Sequence, residues 1–327
     1  MILFSPLLLA QQAASEPDAK VQRLTRWLHS KNESVRLDAI KEIADLRPAD
    51  SIPLLLEALK DPSDSVRGAV AWSLQNVRDP QVVAALRQTL NDPNDRVRAA
   101  AVWSLSHIGG RRALPDVVRM ATNDASGIVR FRAVWGLASI KDKSALPVVV
   151  NALGDYNNSV RERSALLALD ALADRSVVPL LLKQRANVLP ATRRIVMYLL
   201  AKYGDRSVVP ALKEGLQDSD PLVRGEAALS LGKLRARDAL KDLAPLLKDS
   251  DEHVRGATAY GVGLIGDRSA AASLRPLLED HAAFVRAIAA ESLQRLGDKT
   301  VKPPDGFQAV DLFTYPIYSP EHTDLYR

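Results

Sequence analysis

The segment Asp61-Pro-Ser-Asp-Ser-Val-Arg67 returns as Asp92-Pro-Asn-Asp-Arg-Val-Arg98, and again as Asp249-Ser-Asp-Glu-His-Val-Arg255. Its arginine recurs along the whole chain as Arg36, Arg67, Arg98, Arg130, Arg161, Arg193, Arg224, Arg255 and Arg286. Val precedes eight of these nine, Thr192 being the exception. Six places before the Arg stands Asp61, Asp92, Asp124, Asp155, Asp218, Asp249 or Asp280, replaced by Ser30 and Asn187 in the other two. A fixed period of about 31 residues is the mark of stacked repeats. Nine of them account for most of the 327 residues.

Each unit reads as two helices. The first is a run such as Ser51-Ile-Pro-Leu-Leu-Leu-Glu-Ala-Leu-Lys60, with Pro53, Pro147, Pro179 and Pro210 near the starts, where a missing N–H costs nothing. A cap column precedes the second helix: Asn32, Ser63, Asn94, Ser126, Asn157, Asp220 and Asp251, interrupted by Leu189 and Ala282. Within the second helix apolar residues stand four, eight and eleven places after the Val, as in Val66, Val70, Leu74 and Val77, which makes one helical stripe. One such pair cannot bury both of its faces, so successive pairs must stack into a continuous core.

The D-x-x-x-x-V-R pattern in this setting resembles the HEAT-repeat superfamily, in the short HEAT-like form of the phycobilisome-lyase type, over about residues 20–299. The resemblance implies an all-α, right-handed α-solenoid of nine helix-pair repeats, each of about 31 residues. It also implies that the column acids and arginines (Asp61, Arg67, Asp92, Arg98, Asp124, Arg130, Asp155, Arg161, Asp218, Arg224, Asp249, Arg255, Asp280 and Arg286) form a hydrogen-bonded ladder between repeats. The sixth unit departs, with Asn187, Leu189 and Thr192 where Asp, a cap and Val are expected. Such a fold serves scaffolds, lyases and repair proteins alike, so it leaves the function open.

Counting from the Val, positions two, six and nine of the second helix point away from the apolar stripe and are expected to form an exposed inner strip. Position six holds Trp72, Trp103, Trp135, Leu166, Tyr198, Leu229 and Tyr260, with Lys41 and Glu291 at the ends. Over all three positions only Lys41, Glu162, Arg194 and Glu291 carry charge. A charge-poor strip rich in aromatic residues is the composition of a protein- or peptide-binding patch, and Trp72, Trp103, Phe131, Trp135, Tyr198 and Tyr260 are its candidate contact residues. The competing expectation is that these rings pack against neighbouring repeats.

Other chemistry finds little footing. The net charge of +5 comes from 44 basic and 39 acidic residues that alternate along the chain, which disfavours nucleic acid as a partner. Cysteine is absent, so no disulfide or thiolate metal site can form. His29, His107, His253, His281 and His322 lack ligand spacing, and the His-Glu dyads used by di-iron hydroxylases of this repeat fold are missing. No catalytic constellation, cofactor motif or metal site is expected. The inter-repeat turns pair basic residues (Arg206, Arg237, Arg268) with acids (Asp205, Asp238, Asp267) and read as a neutral, solvated edge.

Residues 1–18 begin MILFSPLLLA, which reads either as a secretory signal peptide or as a loose start to the first repeat, so that export and a cytoplasmic location both stay open. The run is too short for a membrane anchor. The solenoid takes residues 19–299. Residues 300–327 break the period with Pro303, Pro304, Pro316 and Pro320, and are expected to cap the last repeat or to carry a motif for a partner. The sequence therefore favours a scaffold that binds a protein or peptide, with a chromophore lyase or chaperone and a nucleic-acid-binding repair protein as the alternatives.

Overall fold

The computed structural model describes residues 19–304 and 306–309. Those residues form eighteen α-helices joined by turns and short 3-10 segments, with no strand among them. They fall into two compact units: residues up to 152 together with 156–172, and residues 153–155 together with everything from 173 onward.

In the first unit a leading helix and a second helix alternate: α1 (19–28) with α2 (Glu33–Ile43), α3 (Pro48–Ala58) with α4 (Asp64–Ser73), α5 (Pro80–Thr89) with α6 (Asp95–Ile108), and α7 (Leu114–Asn123) with α8 (Gly127–Ile140). The fifth pair is α9 (Leu146–Ala152) with α10 (Ala165–Leu172), the latter entered through a π-helical turn at Ser159–Ser164. The second unit continues with α11 (Val178–Gln184) and α12 (Pro190–Tyr203), α13 (Val209–Gly215) and α14 (Pro221–Lys233), α15 (Leu240–Leu243) and α16 (Glu252–Ile265), then α17 (Ala271–Leu274) and α18 (Ala283–Arg295). The alternation of helices is the one the sequence period demands.

The apolar stripe is the core of each unit. Val66, Val97, Val129 and Val160 in the first, and Val223, Val254 and Val285 in the second, are fully buried, as are Leu74, Leu105, Leu137 and Leu169 behind them. Burying one such side chain contributes about 1.5–3 kcal/mol, so the column that announces the repeat is also what holds it together. Thr192 keeps the shape of Val in the sixth unit, and its buried hydroxyl donates to Leu153 O at 2.6 Å.

Local chemistry sets the helix ends, with some departures from expectation. Asn32, Asn94, Asp220 and Asp251 accept N–H bonds of the first turn as caps. Ser63 and Ser126 occupy the cap position without capping; the Ser126 hydroxyl donates to Asp95 instead, at 2.7 Å. Pro53 lies inside α3, because Pro48 has already started that helix. The leading helices α15 and α17 stop after one turn and tighten to 3-10 geometry at Ala244–Lys248 and Arg275–Glu279. Pro245 and Pro276 there have no N–H to give an α-helical bond.

The candidate leader within residues 1–18, and residues 310–327 of the tail, lie outside the described residues. The tail's beginning does not: Ala309 is fully buried, and its N–H donates to Glu291 Oε2 of α18 at 2.7 Å. No described helix is long and apolar enough to cross a membrane.

Candidate partner-binding surface

The column arginines are spoken for twice over. Arg67 Nε and Nη2 donate to both carboxylate oxygens of Asp92 (2.7 and 3.0 Å), while Nη1 reaches back to the carbonyl of Asp61 at 2.9 Å. Arg36 with Asp61, Arg98 with Asp124, Arg193 with Asp218, Arg224 with Asp249 and Arg255 with Asp280 repeat the arrangement. The carbonyl that each Arg binds belongs to its own repeat, but the carboxylate comes from the next one. Each Asp also accepts the N–H two places ahead, as Asp92 does from Asn94. The paired side chains are largely buried, so these forked bonds are stronger than surface pairs. Arg130 and Arg286 donate to the carbonyls of Asp124 and Asp280. Arg161 donates to Asn158 Oδ1 and to Glu162 within its own turn. One period beyond Asp155 stands Asn187, whose side chain donates to Gln184.

The expected open strip is only partly open. Position nine faces position seven of the next second helix: a Cβ on Gly232 would lie 2.6 Å from Gly261 Cα, and one on Gly263 would lie 2.7 Å from the Ser292 hydroxyl. Gly136, at position seven, stands in the same relation to Ser106. Position two packs similarly, Gly256 against Phe284 and Ile288. Small residues there let helices approach; they do not floor a groove. At position six Leu166, Leu229 and Tyr260 are buried, and Arg295 lies over the Tyr260 ring at 5.1 Å. Tyr260 is therefore a packing residue, contrary to its place in the expected contact set. Tyr198 is half-buried, with the Lys233 ammonium 5.1 Å from its ring centre.

On α4, α6 and α8 of the first unit position six does make a surface. Trp72 stacks on Trp103 (centroids 6.0 Å, planes 7° apart), Trp103 meets Trp135 at 4.8 Å, and Phe131 meets Trp135 edge-on at 5.7 Å. Trp103 and Trp135 are half-buried, while Trp72 at the end of the row is 41% exposed. The Trp103 indole N–H donates to Gln75 at 3.1 Å, which satisfies the polar edge of the ring. The Arg132 guanidinium stands 5.2–5.9 Å from the centres of Trp72, Trp103, Trp135 and Phe131. His107 tilts against Trp103 at 4.3 Å. Arg132 stands three places after Val129, off the expected strip, so a reading confined to positions two, six and nine passes over it.

Glu226, likewise three places after its Val, has a raised pKa. Burial pushes its carboxyl up, against the pull of Lys233 (3.9 Å away) and Arg194. Its Oε1 has no hydrogen-bond partner. Asp142 is pulled the other way, down to about 2, by the Arg111 hydrogen bond and then by the N–H and hydroxyl of Ser144. No group of three or more metal-ligating side chains occurs among the described residues.

The family description HEAT repeats matches residues 21–106, 52–133, 118–189, 178–260 and 241–304. No curated protein matches the chain. Among solved structures, YibA from E. coli is 21% identical over 82% of this chain and 97% of its own, with a TM-score of 0.48. Human deoxyhypusine hydroxylase is 22% identical over 75% of this chain and 95% of its own, with a TM-score of 0.34. Kap121p in complex with Pho4p is 14% identical over 84% of this chain, with a TM-score of 0.64, and the chain spans 37% of it. At these identities the likeness to Kap121p is one of fold. With its regular period, its stacked helix pairs and the family match across nearly all of its described length, this chain belongs to the HEAT-repeat family.

Proposed function

We propose that the protein is an interaction scaffold which grips a peptide or protein surface on the aromatic row of its first unit, without catalysis of its own. The observation that carries this reading is the exposure of Trp72 at the end of the stacked row Trp72–Trp103–Trp135, with Arg132 held among the rings. Ring faces supply apolar area at little entropic cost, and a guanidinium held among them adds positive charge beside that area. A partner offering an apolar side chain beside a carboxylate or a backbone carbonyl suits both. Kap121p, of the same fold, has been solved bound to Pho4p, which agrees with such a use.

The experiment is affinity capture from native cells with the full chain and with a Trp72→Ala/Trp103→Ala/Trp135→Ala variant, after circular dichroism has shown the variant to be folded. The expected result is loss of the captured partner. A folded triple variant that retained every partner would remove the aromatic row from the binding surface.

A further inference from the structure

The turns that end α14, α16 and α18 stand one repeat apart and have left-handed backbone: Arg235 at φ +51°, Gly266 at +75° and Gly297 at +96°. Glycine adopts that conformation freely and an arginine does so against its preference. At Arg235 the turn closes in the usual way, with Ala236 N–H donating to Leu231 O at 3.0 Å and Arg235 N–H to Gly232 O at 2.9 Å. Nothing in that bonding calls for a side chain. The arginine nevertheless stands where the next two repeats use glycine, and it lines a cleft of about 440 Å³.

The same cleft is lined by Arg206, Arg237 and Arg295, with the last turn of α16 from Gly263 to Gly266 forming one wall. The charges around it do not cancel. Arg295 is held by Glu291, with its closest approach at 2.7 Å, and Asp267 lies within electrostatic reach of Arg237. Arg206 donates to the carbonyl of Arg235 at 3.3 Å, and the other acids of these turns are engaged elsewhere, Asp205 by Arg175 and Asp238 by Lys213. Four guanidiniums against two carboxylates leave two positive charges. The carbonyl ends of α14 and α16 take back about half a charge each, so the excess is about one positive charge.

We infer that this arginine cleft of the second unit binds a phosphomonoester dianion, on a free small molecule or on a phosphorylated side chain. A phosphomonoester carries about −1.5 to −2 charges near neutral pH and three acceptor oxygens, which suit several forked guanidiniums arranged around one cleft. The cleft is separate from the aromatic row and owes nothing to it.

Calorimetric titration of the full chain with inorganic phosphate and with O-phosphoserine, at ionic strength matched by chloride, tests the assignment. Saturable binding is expected with both probes if the group can be free, and with O-phosphoserine alone if an esterified group is required. Arg235→Gly is the informative variant, because glycine relieves the left-handed turn. Its melting temperature should equal or exceed that of the parent, while phosphate binding weakens by about tenfold or more, and Arg237→Gln should weaken it to a similar degree. Absence of saturable binding to either probe would overturn the proposal. So would equal affinity in the parent and Arg235→Gly, equal affinity for dimethyl phosphate, which has one charge, or heats that chloride alone reproduces.

Discussion

The second helices of the two units meet in different ways. In the first unit α4, α6 and α8 carry Trp72, Trp103 and Trp135 at position six, and those rings touch one another while staying partly exposed. In the second unit α14 and α16 come together through backbone, Gly232 against Gly261 and Gly261 against the carbonyl of Ala228. There the position-six side chains Leu229 and Tyr260 are covered. Larger residues at positions nine and two of the first unit (Gln75, Ala138, Phe131) stand where the second has Gly232, Gly263 and Gly256. In α14 and α16 the small residues one helical turn away let the neighbouring helix close over position six, whereas in α4, α6 and α8 the rings stay partly exposed.

The largest test of that contrast is Gly232→Val. Its Cβ would sit 2.6 Å from Gly261 Cα and 2.7 Å from Gly261 O, backbone atoms that cannot turn aside. The helix propensity gained over glycine offsets well under half of that overlap, and a net loss of about 3 kcal/mol is expected. Trp27, Trp72, Trp103 and Trp135 are the four tryptophans of the chain and all lie in the first unit, so indole fluorescence follows that unit while circular dichroism follows both. In urea, part of the dichroism transition should move to lower denaturant and the fluorescence transition should move less. Coincident shifts of both would show the close-packed region to be no separate element of stability.

The ladder offers a smaller effect that is alike in both units. Asp280 and Arg255 are its most buried pair, with side chains 6% and 7% exposed. Asp280→Asn keeps the shape, removes the charge and leaves Arg255 under-compensated, for a loss of about 2 kcal/mol. The hydrogen bonds from Arg255 hold the Asp280 carboxyl below the usual range against the opposing effect of burial, and Arg193 does the same for Asp218. A folded-state pKa below the unfolded one means that the stabilisation is in place above the ordinary carboxyl range and is lost as pH falls through the folded value. Unfolding midpoints should therefore hold steady from neutral pH down to about pH 5 and fall steeply below about pH 4. The fall should be shallower in Asp280→Asn, and an identical pH profile would show that the pair does not contribute.

The Val and Arg columns could be read from the chain because a period repeated nine times averages out local accidents. The partner of each arginine could not. Sequence spacing puts Asp61 close to Arg67, and only the stacked arrangement brings Asp92 to its guanidinium and leaves the carbonyl of Asp61 for the remaining nitrogen. The inner strip is only partly open for a related reason. A run of Gly, Ala and Ser on one helix face is compatible with an open floor or with a close crossing, and the residue that decides is position seven of the next helix, as Gly261 decides for Gly232. Arg132 and Glu226 stand three places after the Val, in a column that also holds Asp38 and Arg163 beside Ala69, Ala100 and Ala257, so a charge there carries no signal by itself.

The smallest effect on folding is expected where the effect on binding is largest. Trp72 is 41% exposed, touches Trp103 on one face and has Arg132 at 5.2 Å, so Trp72→Ala removes one stacked contact and one cation–π contact but opens no cavity. Such a change should lower stability by about 1 kcal/mol or less. Tyr260→Ala, at a residue 6% exposed, should cost about 3 kcal/mol although it occupies the same repeat position. Urea unfolding of the two single variants gives the comparison directly. If the costs prove equal, Trp72 is as much a packing residue as Tyr260, and the aromatic row is then a seam between repeats with no face to offer a partner.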